Sequence, residues 1–428
     1  MSLSETASSP AAIPSAGADA VSPMTSLVMP VPESWKSLAP TASSTALPMA
    51  HAEVGLHALL QAVVPGVQGL QPYQPGKPVE ALERERGIRH ALKLASNENP
   101  LGPSPRALAA LVRASTGLHR YPDGPGWALK EALAARHGVA MEQITLGNGS
   151  NELLELIART WLAPGRAAVF SAHAFAVYAL VTQATGATAQ VSPARSATDA
   201  AQPYGHDLAA MAAAIDPHTQ VVFIANPNNP TGTYLSAGEL EDFLQRVPLD
   251  RLVVVDEAYA EYVERPDYPD TTQWITRFPN LLVTRTFSKI FGLAGLRLGY
   301  AVSSPAVADQ LNRVRQPFNV NLLAQVAGLA ALDDTPHQAD SVALNREGLA
   351  FLMAEFQARQ MPFIPSVGNF LSVDCGRPAG WLYEALLREG VIVRPIANYG
   401  LPQHLRVTVS TPEENRRFLA TLDRVRPA

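Results

Sequence analysis

The chain has 428 residues, 47% of them hydrophobic, with 33 basic against 38 acidic side chains and a formal net charge of −5. That is enough apolar chain for more than one small domain, and no basic block suggests nucleic acid or a membrane surface as a partner. The single cysteine, Cys375, excludes a disulfide framework and a cysteine zinc site, which fits a cytoplasmic protein, and no run of 18 or more uncharged apolar residues predicts a membrane helix.

Residues 1–52 are predicted to be a disordered extension. They are rich in Ala, Ser and Pro, and over the first fifty Lys36 is the only basic residue and Trp35 the only aromatic. Such a segment buries too little surface to offset its ordering entropy. The missing positive n-region argues against a signal peptide, and the absence of Arg against a transit peptide. Residues 53–100 read as an arm plus part of a smaller domain. Leu56, Leu59, Leu60, Val63 and Val64 fall at helical spacing before Pro65; a proline-set arm runs from Leu70 to Pro78; Leu92–Ser96 is a short strand.

Residues 101–335 alternate helix and strand. Helices are predicted over Leu108–Ala114, Trp127–His137, the segment after Gly149, and Asn321–Leu332. Strands are predicted over Ile144–Leu146, Ala167–Phe170, Val221–Ala225, Leu252–Val255, Leu281–Thr284 and Leu298–Val302. This is the pattern of a mostly parallel sheet with helices on both faces, whose ligands gather at the carboxyl ends of the strands. Residues 336–428 form a smaller unit, with helices Val342–Gln357, Trp381–Arg388 and Glu413–Val425 and strands Phe370–Val373, Val391–Arg394 and Leu405–Val409.

Chemistry-bearing residues cluster at predicted strand ends. Lys289 follows the buried run Leu281–Thr284, with Ser288 before it and Arg297 eight positions on, across two glycines. A partly desolvated lysine is a Schiff-base nucleophile, and Ser288 and Arg297 can hold a phosphate. Asp256 ends Val253–Val255, where a buried carboxylate needs a cation such as a protonated pyridine nitrogen; Tyr259 lies three residues on. Asn226 opens the turn Asn226–Gly232. Ser150 and Asn151 start a helix, a natural anion site. Phe175 offers a stacking face, and Arg394 and Arg406 are placed to clamp an anionic substrate. Each piece alone also has a plain structural reading: a surface lysine, a helix-capping aspartate, an ordinary turn, a core phenylalanine, surface ion pairs.

In combination the motifs resemble the fold type I pyridoxal-phosphate enzymes, and within them the class II aminotransferases of the histidinol-phosphate aminotransferase family. The resemblance runs from about Leu56 to the C-terminus. It is carried by Leu94–Pro100, Tyr121–Gly124, Gly147–Glu152, Asn226–Gly232, Asp256–Tyr259, Thr286–Lys289 with Gly295–Arg297, Arg315–Asn321 and Leu405–Val409. It implies an α/β fold, with a large domain built on a mostly parallel seven-stranded sheet and a smaller α+β domain. It implies pyridoxal 5'-phosphate as cofactor, with Lys289 as the Schiff-base lysine and proton shuttle. Asp256 would pair the ring nitrogen, and Tyr259 and Asn226 would bind the 3-oxygen. Ser150, Asn151, Ser288 and Arg297 would hold the phosphate, and Phe175, where many relatives have tyrosine, would stack on the ring. Tyr121 would reach the phosphate of a neighbouring subunit, which implies a homodimer with shared sites. Tyr73, Arg394 and Arg406 would line the substrate side, with Asn369 near the substrate carboxylate. The implied reaction is transamination of histidinol phosphate with 2-oxoglutarate, giving imidazole-acetol phosphate and glutamate. An aromatic amino-acid aminotransferase, a decarboxylase of a phosphorylated amino acid and a non-catalytic protein of this fold remain alternatives.

Overall fold

The computed structural model describes residues 56–426. The described residues fall into two units, divided between Ala62 and Val63. In the first, residues 56–61 are helical, with Leu56, Leu59 and Leu60 exposed. The expected disordered extension over 1–52 lies outside the described residues.

In the second unit a helix, Val79–Arg86, precedes a two-residue strand, β1 (Leu92–Lys93), and the main sheet is built from β2 (Ile144–Gly147), β3 (Ala167–Ser171), β4 (Thr188–Ser192), β5 (Thr219–Ala225), β6 (Leu252–Asp256), β7 (Leu281–Thr286) and β8 (Gly299–Ser303). The order is β2-β8-β7-β6-β5-β3-β4. β8 runs antiparallel to both of its neighbours, and the remaining pairs are parallel. The central strands are buried on both faces, as parallel strands covered by helices must be. Alternation decides which side chain goes where. Val222, Ile224, Val253, Val255 and Val283 join one apolar cluster, while Val221, Phe223, Val254 and Leu282 join the other.

The strand directions place the site. Asp256 ends β6, Asn226 follows β5, Lys289 follows β7 and Ser150 follows β2, so all four emerge at one sheet edge. β8 runs the other way, so its start comes to that same edge: Gly299 pairs with Gly147 on one side and Thr286 on the other. Arg297, two residues before Gly299, is thereby delivered to the lysine.

A four-stranded antiparallel sheet has the order β12 (Arg394–Pro395), β13 (His404–Thr408), β10 (Phe370–Asp374) and β9 (Phe363–Ile364). β1 pairs in parallel with β11 (Val391–Ile392), which joins the segment before Pro100 to the C-terminal part. Two strands had no signal in the sequence. β4 is an edge strand whose one large apolar side chain, Val191, is 55% exposed, so no burial pattern marks it. β9 is only two residues long. The helix predicted from Val342 begins at Thr335; its first turns are polar, and Pro336 sits in the first turn, where its missing N–H costs no helical bond. Among the described residues no helix is long and apolar enough to cross a membrane.

Candidate active site

A cavity of about 270 Å³ opens at this sheet edge, between the seven-stranded and the four-stranded sheets. Lys289, Arg297, Arg394 and Arg406 line it, and Asp256 is its one acidic residue. It therefore suits a ligand with more than one negative group.

Lys289 donates from Nζ to the carbonyl of Ser96 at 3.0 Å and lies 5.7 Å from the centre of the Tyr259 ring. Burial pulls its pKa down to about 7, and the cations Arg406 and Arg297 add to the shift while Glu98 opposes it. A large share of the amine is thus neutral and nucleophilic at neutral pH.

Asp256 is buried, and burial raises its pKa. Two hydroxyls oppose that: Tyr178 donates to Oδ2 at 2.9 Å and Thr284 to Oδ1 at 3.0 Å, with the charge of Lys289 adding to them. Hydrogen bonds to the charged form favour ionisation. Tyr259 is pushed up to about 12 by burial. Its hydroxyl accepts from Asn97 Nδ2 at 2.9 Å, so its own proton remains available to a ligand.

The opposite end is built for an anion. Gly149, at φ 81°, precedes the helix Ser150–Trp161, and a side chain there would run into Arg297, 2.5 Å from Nη2. Glycine lets the guanidinium lie over the helix start, where unpaired backbone amides and the helix dipole favour a phosphate. Arg297 itself has φ 57°, and its Nη1 reaches Ser288 Oγ at 3.4 Å and the Ala294 carbonyl at 3.1 Å. Ser150, Asn151 and Ser288 line the same end, and Phe175 lines the cavity from the start of the helix Ala176–Ala184.

Arg394 and Arg406 are direct partners across β12 and β13. They are 9% and 6% exposed. Their partners are neutral: Arg394 Nη2 donates to the Gln74 carbonyl at 2.5 Å, and Arg406 donates to Asn229 Oδ1 at 2.5 Å and the Ala95 carbonyl at 2.7 Å. Arg406 Nε is buried with no partner. Tyr73 lines the cavity beside them, 5.9 Å from the Arg394 guanidinium.

Three sequence-predicted residues stand elsewhere. Asn226 is not in the lining. Its Oδ1 accepts the Leu235 amide at 2.9 Å and its Nδ2 donates to the Leu235 carbonyl at 3.2 Å, so a ligand contact would draw on the second hydrogen of that amide. Asn369 is one layer back, donating from Nδ2 to the Asn97 carbonyl at 3.0 Å. It supports the cavity wall through Asn97 and is not in the lining itself. Tyr121 is 82% exposed, stacked on Phe318 at 4.7 Å, and does not line this cavity.

Residues given no role in the sequence also belong to the site. Ser96 and Asn97 meet Lys289 and Tyr259, and Asn97 is buried at φ 54°, held by Thr408 and Asn369. A polar residue just past a strand end was the available signal. Tyr178 holds Asp256, and its spacing three residues beyond Phe175 on one helix was the signal there.

Residues 89–422 match the family "Aminotransferase class I and II". The chain is 59% identical over 363 residues to histidinol-phosphate aminotransferase 2 of Pseudomonas fluorescens, covering 84% of this chain and 96% of that protein. It is 57% identical over 362 residues to histidinol-phosphate aminotransferase 2 of Methylococcus capsulatus, covering 85% and 97%. Among solved structures, histidinol-phosphate aminotransferase from Sinorhizobium meliloti, in complex with pyridoxal-5'-phosphate, superposes with a TM-score of 0.78 at 28% identity, covering 85% of this chain and 97% of that one. The protein is therefore an aminotransferase: it belongs to the class I and II aminotransferases and, within them, to the histidinol-phosphate aminotransferase family.

Proposed function

We propose that this protein transfers the amino group of histidinol phosphate to 2-oxoglutarate, with pyridoxal 5'-phosphate held at Lys289, yielding imidazole-acetol phosphate and glutamate in histidine biosynthesis. The observation that carries this reading is the Arg394–Arg406 pair. Two cations face each other across a sheet, both nearly buried, and neither has a carboxylate partner among the described residues. Like charges directly opposite destabilise a sheet, and a buried cation without a counter-ion costs several kcal/mol. An anionic substrate group removes both penalties. The phosphate of histidinol phosphate supplies it in one half-reaction, and a carboxylate of glutamate in the other, with Arg406 as the main contact.

The residues fit the cofactor. Hydrogen-bond donors gather at Ser150, Asn151, Ser288 and Arg297, and the glycine at 149 leaves room above the helix start. When bound, the cofactor supplies an electron-withdrawing ring that stabilises the carbanion left by Cα–H cleavage. Lys289 Nζ, neutral in good part at neutral pH, takes the α-proton and returns it. Asp256, whose carboxylate form is favoured by its two hydroxyl donors, would hold the proton on the ring nitrogen. Tyr259 donates to the 3-oxygen, Phe175 covers a ring face, and Arg394, Arg406 and Tyr73 orient the substrate.

The active form in this reading is a cytoplasmic homodimer with shared sites. Supporting it, Tyr121, Leu118, Trp127 and Phe318 are exposed apolar residues close together in sequence or stacked on one another. Steady-state rates with histidinol phosphate and with phenylalanine as donors, and 2-oxoglutarate as acceptor, test the substrate. A kcat/KM for histidinol phosphate well above that for phenylalanine is expected; the reverse order would replace this reading with an aromatic aminotransferase.

A further inference from the structure

Tyr178 is fully buried, in the helix Ala176–Ala184. Its ring is stacked on Phe223 with centroids 4.8 Å apart and planes 4° from parallel, and it meets Phe175 edge-on at 5.9 Å and 87°. Phe170 closes a third side at 6.3 Å. A ring clamped in this way has no room to swing. Its hydroxyl donates to Asp256 Oδ2 at 2.9 Å and has no other partner among the described residues. Thr284, from β7, holds the other oxygen. The carboxylate is thus fixed by one donor on each oxygen, both outside the cavity lining, and presents its free lone pairs to the cavity.

We infer that Tyr178 is a positioning residue that braces two cofactor contacts at once. Its hydroxyl fixes the ionised Asp256 against the ring nitrogen, and its ring edge backs Phe175 where that side chain covers the ring face. The inference rests on the cofactor reading above. Its logic is chemical. A phenol proton aimed at Oδ2 favours the carboxylate over the carboxylic acid. An ionised Asp256 keeps the ring nitrogen protonated, and the electron-poor ring makes the nitrogen that joins Lys289 to the cofactor less basic. The charged and titratable groups facing Asp256 are Tyr178 and Lys289, with Tyr259 nearby, and Thr284 adds a neutral hydroxyl donor. Of these, Tyr178 can lose its donor with almost no change of shape.

The test uses the cofactor-loaded protein and its visible absorption, titrated with pH. Tyr178→Phe keeps the aromatic brace and removes the donor. Its titration midpoint should rise by about half a pH unit or more, cofactor release should quicken, and kcat should fall while KM for 2-oxoglutarate stays within about twofold. Replacing Tyr178 with 3-fluorotyrosine, a stronger donor of nearly the same shape, should move the midpoint down and serves where Tyr178→Phe does not fold. Thr284→Val should shift it in the same direction as Tyr178→Phe. A midpoint and release rate unchanged in Tyr178→Phe or in the fluorinated protein would overturn the inference and leave Tyr178 a packing residue. A wild-type protein that shows no lysine-bound cofactor absorption would refute the cofactor reading itself, a distinct result seen before any variant is made.

Discussion

Asp256 and Arg406 face one cavity from opposite sheets and are held in opposite ways. Asp256 is a buried anion whose two oxygens each already accept a hydroxyl proton. Arg406 is a buried cation bonded only to neutral oxygens, with Nε unpartnered and a second arginine across the strand. The first arrangement is finished except for one cation in front of it, which suits a resident cofactor. The second is electrostatically incomplete, which suits a substrate that comes and goes. A chain that must hold one ligand and exchange another separates the two tasks between two sheets.

The largest effect should come from the element that links the two halves. Lys289→Ala is expected to abolish covalent cofactor attachment and lower kcat by about 10⁴-fold or more, read from the visible spectrum and turnover. Retained turnover would remove the lysine from the chemistry. Next, Arg406→Ala should lower kcat/KM for both the amino donor and 2-oxoglutarate by about ten- to a hundredfold, as expected for a lost hydrogen bond to a charged group. Cofactor affinity should be nearly unchanged. If cofactor binding fell equally, the two halves would not be separate.

The pH dependence sharpens the same contrast. The free Lys289 amine titrates near pH 7 because of burial and neighbouring cations. Only the neutral amine attacks the cofactor, so the rate of attachment to the cofactor-free protein should climb from pH 6 to 8 and then level off. A rate still rising tenfold per unit above pH 9 would indicate an ordinary lysine. Smaller still, Phe175→Tyr should leave kcat within about twofold, because stacking survives the added hydroxyl.

The two halves were also unequally legible in the sequence. Lys289 and Asp256 stood out because each ends a β-branched or apolar run, and a charged residue there asks for a reason. The parallel strand order then brought them to one edge, as the alternation of strands and helices implied. Arg394 and Arg406 were visible as strand-end arginines, but their direct opposition depends on the register of β12 on β13, which no local pattern encodes. Asn97 meets Tyr259 across 162 residues and Thr408 across 311, and such pairings arise only once both sheets are assembled. The resemblance implied a place for Asn369 near the substrate carboxylate; in the structure it hydrogen-bonds the Asn97 carbonyl and does not line the cavity. β4 escaped notice for the opposite reason: it is exposed along most of its length, and Val191 is its one large apolar side chain.

The most direct measurement compares histidinol phosphate with histidinol, its phosphate-free counterpart, as amino donor to the wild-type protein and to Arg406→Ala. If the arginine pair exists to receive a phosphate, wild-type kcat/KM should fall by about a hundredfold or more when the phosphate is removed, and that ratio should collapse toward one in the variant. A wild-type protein that handles the two donors equally well, or a variant that keeps the full discrimination, would contradict the assignment of this site to a phosphorylated amine.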